Sequence, residues 1–108
     1  MDKYRMREFL WAIQVYVSRN SSDKEAREFL KRVNRYPLPH KDDFIKLPLD
    51  GVEKSEGLLK FLANRYAEKE EEEEDKASAA PNNFCEWEHQ SEAYFAERMR
   101  KKFSSLLK

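Results

Sequence analysis

An acidic run over residues 68–75, with the sequence EKEEEEED, places the strongest limit on how this chain can be organised. Glutamate has good helix propensity. At neutral pH, however, Glu70 and Glu74 repel each other at the i,i+4 spacing, and Pro81 follows a few residues later. We therefore expect the run to fray and to form, with the Ala/Ser/Pro residues after it, a linker over residues 68–82.

The charge imbalance of the chain lies in this run and not in the two parts that flank it. Residues 1–67 hold 14 basic and 10 acidic side chains, residues 68–76 hold 2 and 7, and residues 77–108 hold 5 and 4. The mild positive charge of the front part is too small to identify a nucleic-acid binder, which usually carries clustered Lys and Arg. The run itself has two interpretations. It is either a solvated linker, or a surface that imitates a nucleic acid or docks on a basic partner.

Composition favours an all-α protein. Of the 108 residues, 39% are charged, and only two Gly and four Pro are available for turns. This balance is typical of helical proteins. We expect a compact bundle of four to five helices, divided into a helical bundle over residues 1–67, the linker, and an amphipathic helix over residues 83–108 that packs on the bundle as one domain.

Cysteine content and hydropathy predict the cellular compartment of the protein. The single Cys85 excludes an internal disulfide framework and fits a reducing compartment. The N-terminus shows no signal-peptide pattern. The longest apolar stretch, residues 9–17, is far shorter than the roughly 20 residues that span a bilayer. These features predict a cytoplasmic protein with no membrane partner.

Apolar spacing predicts the positions of the helices. The first is expected over residues 2–17 and the third over residues 52–69. A capping box formed by Ser22 and Glu25 predicts the start of the second helix, which Pro37 ends. An extended connector over residues 36–40 and a short helix over residues 41–47 are expected to follow. Asn83 is expected to cap the fourth helix.

The fourth helix carries an apolar stripe that is large for so short a chain. Its members recur at three- and four-residue steps: Phe84, Trp87, Ser91, Phe95, Met99, Phe103 and Leu106. This stripe is either the last element of the core, or a helix laid in a partner's groove or exchanged between protomers. The residues predicted to bind the partner are Trp87, Tyr94, Phe95, Met99, Phe103 and Leu106. Glu88, Glu92 and Glu97 on the polar face argue against a membrane surface.

A basic stripe on the second helix supports an alternative function. Arg27, Lys31 and Arg35 recur every four residues and share one face. Such a stripe can grip phosphates along a nucleic-acid backbone, although Glu25 and Glu28 dilute it.

Two groups of residues contain side chains that are common in catalytic or metal sites. Cys85 and His89 lie four apart on one helical face, and His40 stands near Asp42 and Asp43. A structural zinc site needs four ligands, and the chain has one cysteine and two histidines. No P-loop, dinucleotide glycine pattern, nucleophile elbow or zinc-protease motif is present. We predict no catalytic, cofactor or metal residues. A hydrolase that uses His40 with Asp42 or Asp43, or Cys85 with His89, is the least favoured function.

Residues 9–66 resemble the small YozE-like, SAM-like helical domains. The parallels are an aromatic-opened first helix, Ser22-Asp23 and Glu28-Phe29 in the second, the Tyr36-Pro37 step, Asp43-Phe44-Ile45 with Leu49, and Phe61 with Arg65-Tyr66. The Pro37-Leu38-Pro39 segment and the acidic run lie outside that pattern. The resemblance implies a compact helical bundle and no particular chemistry.

These patterns together predict a non-enzymatic helical module that binds another protein, or a second copy of itself, through its C-terminal helix. A helical subunit that binds nucleic-acid backbone within an assembly is the alternative.

Overall fold

A computed structural model describes residues 2–35 and 49–107. These residues form four α-helices, α1 (Asp2–Arg19), α2 (Lys24–Asn34), α3 (Glu56–Ser78) and α4 (Asn83–Leu106), and a 3-10 helix over Val52–Lys54. No strand occurs in these two ranges, so the all-α prediction is confirmed. The predicted connector over residues 36–40 and short helix over residues 41–47 lie outside the described residues.

The chain divides into two compact units, residues 1–58 and residues 59–108, and the boundary falls within α3. The first unit buries an apolar core that α1, α2 and the 3-10 helix share. Phe9 of α1 meets Phe29 of α2 edge to face, with ring centroids 6.2 Å apart. Ile13, Val33 and Val52 are fully or almost fully buried beside them. Aromatic pairs in this geometry stabilise a core beyond the area that they bury.

One carboxylate, Asp23, organises the polar interior of the first unit. It caps α2 by accepting a hydrogen bond from the Ala26 amide at 3.1 Å, so the predicted capping residue, Ser22, is wrong by one position. The carboxylate also accepts hydrogen bonds from the Tyr16 hydroxyl at 2.7 Å and the Ser55 hydroxyl at 2.6 Å. Ser55 in turn accepts one from the Leu58 amide in the first turn of α3. Asp23 therefore joins three separate segments.

These contacts shift the ionisation of both acidic groups. Burial alone would raise the pKa of Asp23, but the hydrogen bonds from Ser55, Tyr16 and the Ala26 amide, with the charge of Arg27, outweigh it and lower the pKa. Burial, and then the neighbouring Asp23 carboxylate, raise the pKa of Tyr16. The stable arrangement is thus a charged Asp23 beside a neutral Tyr16.

The Tyr16 hydroxyl explains why a glycine lies in the first turn of the third helix. A Cβ atom placed on Gly57 would collide with this hydroxyl. The close approach of Tyr16 therefore requires glycine at this position.

The second unit is an antiparallel pair formed by α4 and the part of α3 after Leu58. Its apolar core lies where Tyr66 of α3 stacks on Phe103 of α4, with centroids 5.8 Å apart, and meets Phe95 edge to face at 6.2 Å. Ala96 and Met99 of α4 are also buried. Ala93 and Ala96 are small enough to let two helices approach closely, so the apolar seam needs few large side chains.

The acidic run is a continuation of α3, not a linker. The helix extends to Ser78, and only residues 79–82 separate it from α4. The prediction of a frayed linker over residues 68–82 is therefore wrong for residues 68–78.

Partners on α4 account for the helicity of the run. Arg100 donates to Glu70 at 2.7 Å, Lys69 lies 3.7 Å from Glu92, and His89 Nδ1 lies 2.6 Å from a Glu73 oxygen. These contacts offset the repulsion between neighbouring glutamates that predicted fraying. Beyond Tyr66, the seam between α3 and α4 thus combines these charged pairs with the buried Ala77 and Ala93. None of the helices in the described ranges has an apolar stretch long enough to cross a bilayer.

Candidate functional site

The structure divides the six residues predicted to bind a partner between two faces of α4. Met99 and Phe103 are buried in the second unit, and Phe95 and Leu106 are partly buried. Trp87 and Tyr94 instead expose 58% and 62% of their surface. The prediction placed Trp87 in one stripe with the buried residues and Tyr94 at the border of that stripe, whereas the helix separates an inner, structural set from an outer, exposed one.

The start of α4 fixes where the outer face begins. Asn82, not the predicted Asn83, is the N-cap, and its side chain accepts a hydrogen bond from the Cys85 amide at 2.9 Å. This cap places Phe84 in the first turn of the helix, where 65% of its surface is exposed.

Four residues form one exposed strip along α4, which we call the aromatic stripe: Phe84, Trp87, Tyr94 and Arg98. At 3.6 residues per turn they lie within about 80° of one another around the helix axis, and they span about 21 Å along it. The Phe84 and Trp87 rings lie 6.5 Å apart, and the Arg98 guanidinium lies 5.8 Å from the centre of the Tyr94 ring. Trp, Tyr and Arg are the side chains that most often dominate binding energy at protein interfaces.

A cleft of about 350 Å³ adjoins this stripe in the second unit. Glu74, Ala77 and Ser78 line it from α3, and Glu86, Gln90, Ala93, Tyr94 and Glu97 line it from α4. Ala77 and Ala93 are buried and provide an apolar floor. Tyr94 belongs to both features, so the cleft and the aromatic stripe form one continuous surface.

The walls of the cleft are acidic. Lys101 contacts Glu97 at 2.8 Å, and this hydrogen bond, with the charges of Lys101 and Arg100, lowers the pKa of Glu97. Glu86 accepts a hydrogen bond from the neutral Gln90. Within the described residues, no cation lies within ion-pair distance of Glu74 or Glu86. Glu74 acts on Arg100 only at longer range, adding to the hydrogen bond and charge of Glu70 that raise the pKa of Arg100.

The structure describes one of the two groups considered for metal or nucleophilic chemistry, Cys85 with His89. His89 is paired with Glu73 across the helix seam, and Cys85 is a free, partly buried thiol. Within residues 2–35 and 49–107, no group of three or more His, Cys, Asp or Glu side chains is placed to hold a metal ion. The other candidate group, His40 with Asp42 and Asp43, lies outside the described residues.

The basic stripe on α2 is exposed. Arg27 and Lys31 lie on the helix and Arg35 is its C-cap. Lys31 lies 3.9 Å from Glu28, with more than half of both side chains exposed. The stripe predicted from the sequence is therefore accessible, with an acidic residue beside its central member.

Sequence reasoning missed Glu74 and Glu86 as lining residues and left Phe84 and Arg98 out of the binding set. The sequence did contain a signal for the aromatic stripe, because its four members, Phe84, Trp87, Tyr94 and Arg98, also fit the spacing of one helical face. Two overlapping stripes therefore fit the same sequence. The inner one includes the buried Ala93 and Ala96, which the spacing of large apolar residues does not reveal.

No protein-family model, no curated protein and no solved structure matches this chain. The resemblance of residues 9–66 to YozE-like domains therefore stays a prediction.

Proposed function

We propose that this protein is a non-enzymatic interaction module that binds another protein through α4, as a subunit, adaptor or inhibitor. The observation that carries the proposal is the exposure of three large aromatic side chains on one strip of a well-packed helix. Phe84, Trp87 and Tyr94 are 65%, 58% and 62% exposed, although other aromatic residues of the same unit are buried.

Physical chemistry supports a binding role for this strip. Contiguous exposed apolar surface is unfavourable in water and commonly marks an interaction site. Aromatic side chains bring large contact area for few rotatable bonds, so fixing them on binding costs little entropy. The inner face of α4 is already occupied by α3, which leaves the outer face available to a partner.

Affinity purification from the native host tests the proposal with a matched pair of variants. The double variant Trp87→Ala/Tyr94→Ala removes the centre of the aromatic stripe. Trp11→Ala is the control, because Trp11 on α1 is 51% exposed and lies in the other unit. Loss of two hot-spot side chains is expected to weaken partner binding about a hundredfold or more, whereas the Trp11→Ala variant should retain the partner.

Sedimentation of the purified protein tests whether the partner is a second copy of this chain. A dimer that Trp87→Ala/Tyr94→Ala converts to a monomer would make the partner a second copy of this chain. Equal recovery of partners by the double variant and the wild type, with no change in oligomeric state, would contradict the proposal.

The exposed basic stripe supports a second candidate, a helical subunit that binds nucleic-acid backbone. Binding through Arg27, Lys31 and Arg35 should weaken steeply as salt rises. These side chains release counterions from the phosphates when they bind, and that release is less favourable at high salt. The variant Arg27→Glu/Lys31→Glu should abolish it. Lys54→Glu/Lys102→Glu, which makes the same change in net charge at exposed positions elsewhere, is the control, and equal behaviour of the two variants would reject a specific stripe.

A further inference from the structure

We infer that the segment docking on α4 is cationic: it places an arginine side chain in the acidic cleft and apolar side chains on the aromatic stripe. This inference rests on the proposed function and specifies the chemistry of the partner at that same surface. The cleft and the stripe share Tyr94, so one short segment reaches both.

Charge is the first argument. Three glutamates line the cleft, and no Lys, Arg or His is among its lining residues. Lys101 already pairs with Glu97, but Glu74 and Glu86 have no cation at ion-pair distance within the described residues. Such a surface attracts and orients cationic partners, and it repels phosphates. Nucleic acid and anionic lipid surfaces are therefore disfavoured on this side of the molecule.

The shape and lining of the cleft provide the second argument. Its volume, about 350 Å³, is at the lower end of the range for ligand pockets, which suits one or two side chains and not a folded domain. Ala77 and Ala93 form an apolar floor on which the methylene groups of a long cationic side chain can lie. The charged head then remains among the carboxylates at the rim.

Tyr94 distinguishes arginine from lysine. The Arg98 guanidinium lies 5.8 Å from the centre of the Tyr94 ring, and 62% of the Tyr94 surface remains exposed for contact with a second guanidinium. An arginine from the partner can stack on an aromatic ring while it donates two parallel hydrogen bonds to a carboxylate. Lysine offers only a point charge, so we expect arginine to be preferred.

The aromatic stripe sets the length of the docking segment. The strip from Phe84 to Arg98 extends about 21 Å along α4. A partner helix of about 14 residues, or an extended segment of about six, covers that distance. Apolar residues next to the arginine would contact Phe84 and Trp87.

Selection from a phage-displayed library of random peptides of about 16 residues, long enough to cover the strip as a helix, tests the inference with a defined probe. The full-length protein is the target. Peptides that bind it should be enriched in arginine next to apolar residues. Their affinity should fall about tenfold for Glu74→Gln/Glu86→Gln, because two exposed charge pairs are lost. It should also fall for Trp87→Ala/Tyr94→Ala.

Glu71→Gln/Glu72→Gln is the matched control. Both of these glutamates are exposed on α3 and lie outside the cleft, so this variant removes the same total charge from the second unit without changing the cleft. Peptide affinity should change little in it. An equal loss in the two glutamine variants would show general attraction to an acidic protein and would overturn the inference.

The remaining outcomes separate this inference from the proposed function. Selected peptides that lack basic residues but still require Trp87 and Tyr94 would overturn the cationic partner and leave the interaction surface standing. Failure to select any peptide, or selection of peptides that bind Trp87→Ala/Tyr94→Ala as well as wild type, would overturn the inference. The proposed function would then be tested separately, by the affinity purification with Trp87→Ala/Tyr94→Ala and Trp11→Ala.

Discussion

The two units of this protein hold their carboxylates in opposite ways. In the first unit one half-buried carboxylate, Asp23, accepts hydrogen bonds from a backbone amide and two hydroxyl groups. In the second unit two carboxylates of the acidic run, Glu70 and Glu73, instead pair with partly exposed side chains of α4, and Lys69 of the same run pairs with Glu92. A charge satisfied by several buried partners is costly to disturb, whereas a solvated pair contributes little. The first unit should therefore depend on one carboxylate, and the second on none in particular.

Replacement of Asp23 should have the largest effect. Asp23→Ala removes the cap of α2 and leaves two hydroxyl groups without their acceptor, which we expect to cost about 3 kcal/mol of unfolding free energy. Urea unfolding followed by circular dichroism measures the loss, and amide hydrogen exchange should locate it in α2. A loss below about 1 kcal/mol would show that the three contacts do not act as a unit.

Acid should reproduce part of that effect. The pKa of Asp23 is lowered in the folded protein, so its contribution to stability is complete above the ordinary aspartate pKa of about 4 and is lost as pH falls through the lower, folded value. Asp23→Asn should be less stable than wild type at pH 7, and the difference should narrow as the pH falls below about 4. A constant difference across this range would contradict the assigned ionisation.

Gly57→Ala should have the next largest effect. The added methyl group collides with the Tyr16 hydroxyl, and overpacking of this kind costs about 2 kcal/mol. Tyr16→Phe removes that hydroxyl, so Gly57→Ala should cost less in the Tyr16→Phe protein than in wild type. A double-mutant cycle measures the difference, and additive effects would show that the two residues do not compete for space.

Pairs across the seam of the second unit should matter least among the charged groups. Arg100→Ala breaks the contact with Glu70 at 2.7 Å, yet both side chains are partly exposed, and we expect a much smaller loss of unfolding free energy than for Asp23→Ala. High salt should reduce this loss further because exposed pairs are screened. A loss equal to that of Asp23→Ala would remove the contrast between the two units.

Sequence patterns predicted the helical class, the order of the helices and most of their buried faces, because apolar spacing is a local property. Two helix starts were placed one residue off. At each start, adjacent residues (Ser22 and Asp23, Asn82 and Asn83) are all suitable caps, and only the three-dimensional path selects one. The helicity of the acidic run was not predictable from its own residues. It depends on Arg100 and His89, which lie far along the chain from Glu70 and Glu73 and become neighbours only when α4 folds back on α3.

The candidate site was predicted in part for a related reason. The sequence pointed to α4, but Phe84 and Trp87 were assigned to the same stripe as Met99 and Phe103. The structure buries Phe103 and Met99 with small alanines and exposes Trp87 and Tyr94. Spacing alone cannot decide between two overlapping stripes, because the choice depends on which face α3 covers.

The stability of Trp87→Ala/Tyr94→Ala tests the central claim most directly, since it asks whether these rings belong to the fold or to a binding surface. Urea unfolding should give a free energy within about 0.5 kcal/mol of wild type, as expected for exposed side chains. The same variant should fail to retain the partner that wild type and Trp11→Ala retain. A loss of 2 kcal/mol or more would place the aromatic rings in the core and contradict a binding role for the outer face of α4.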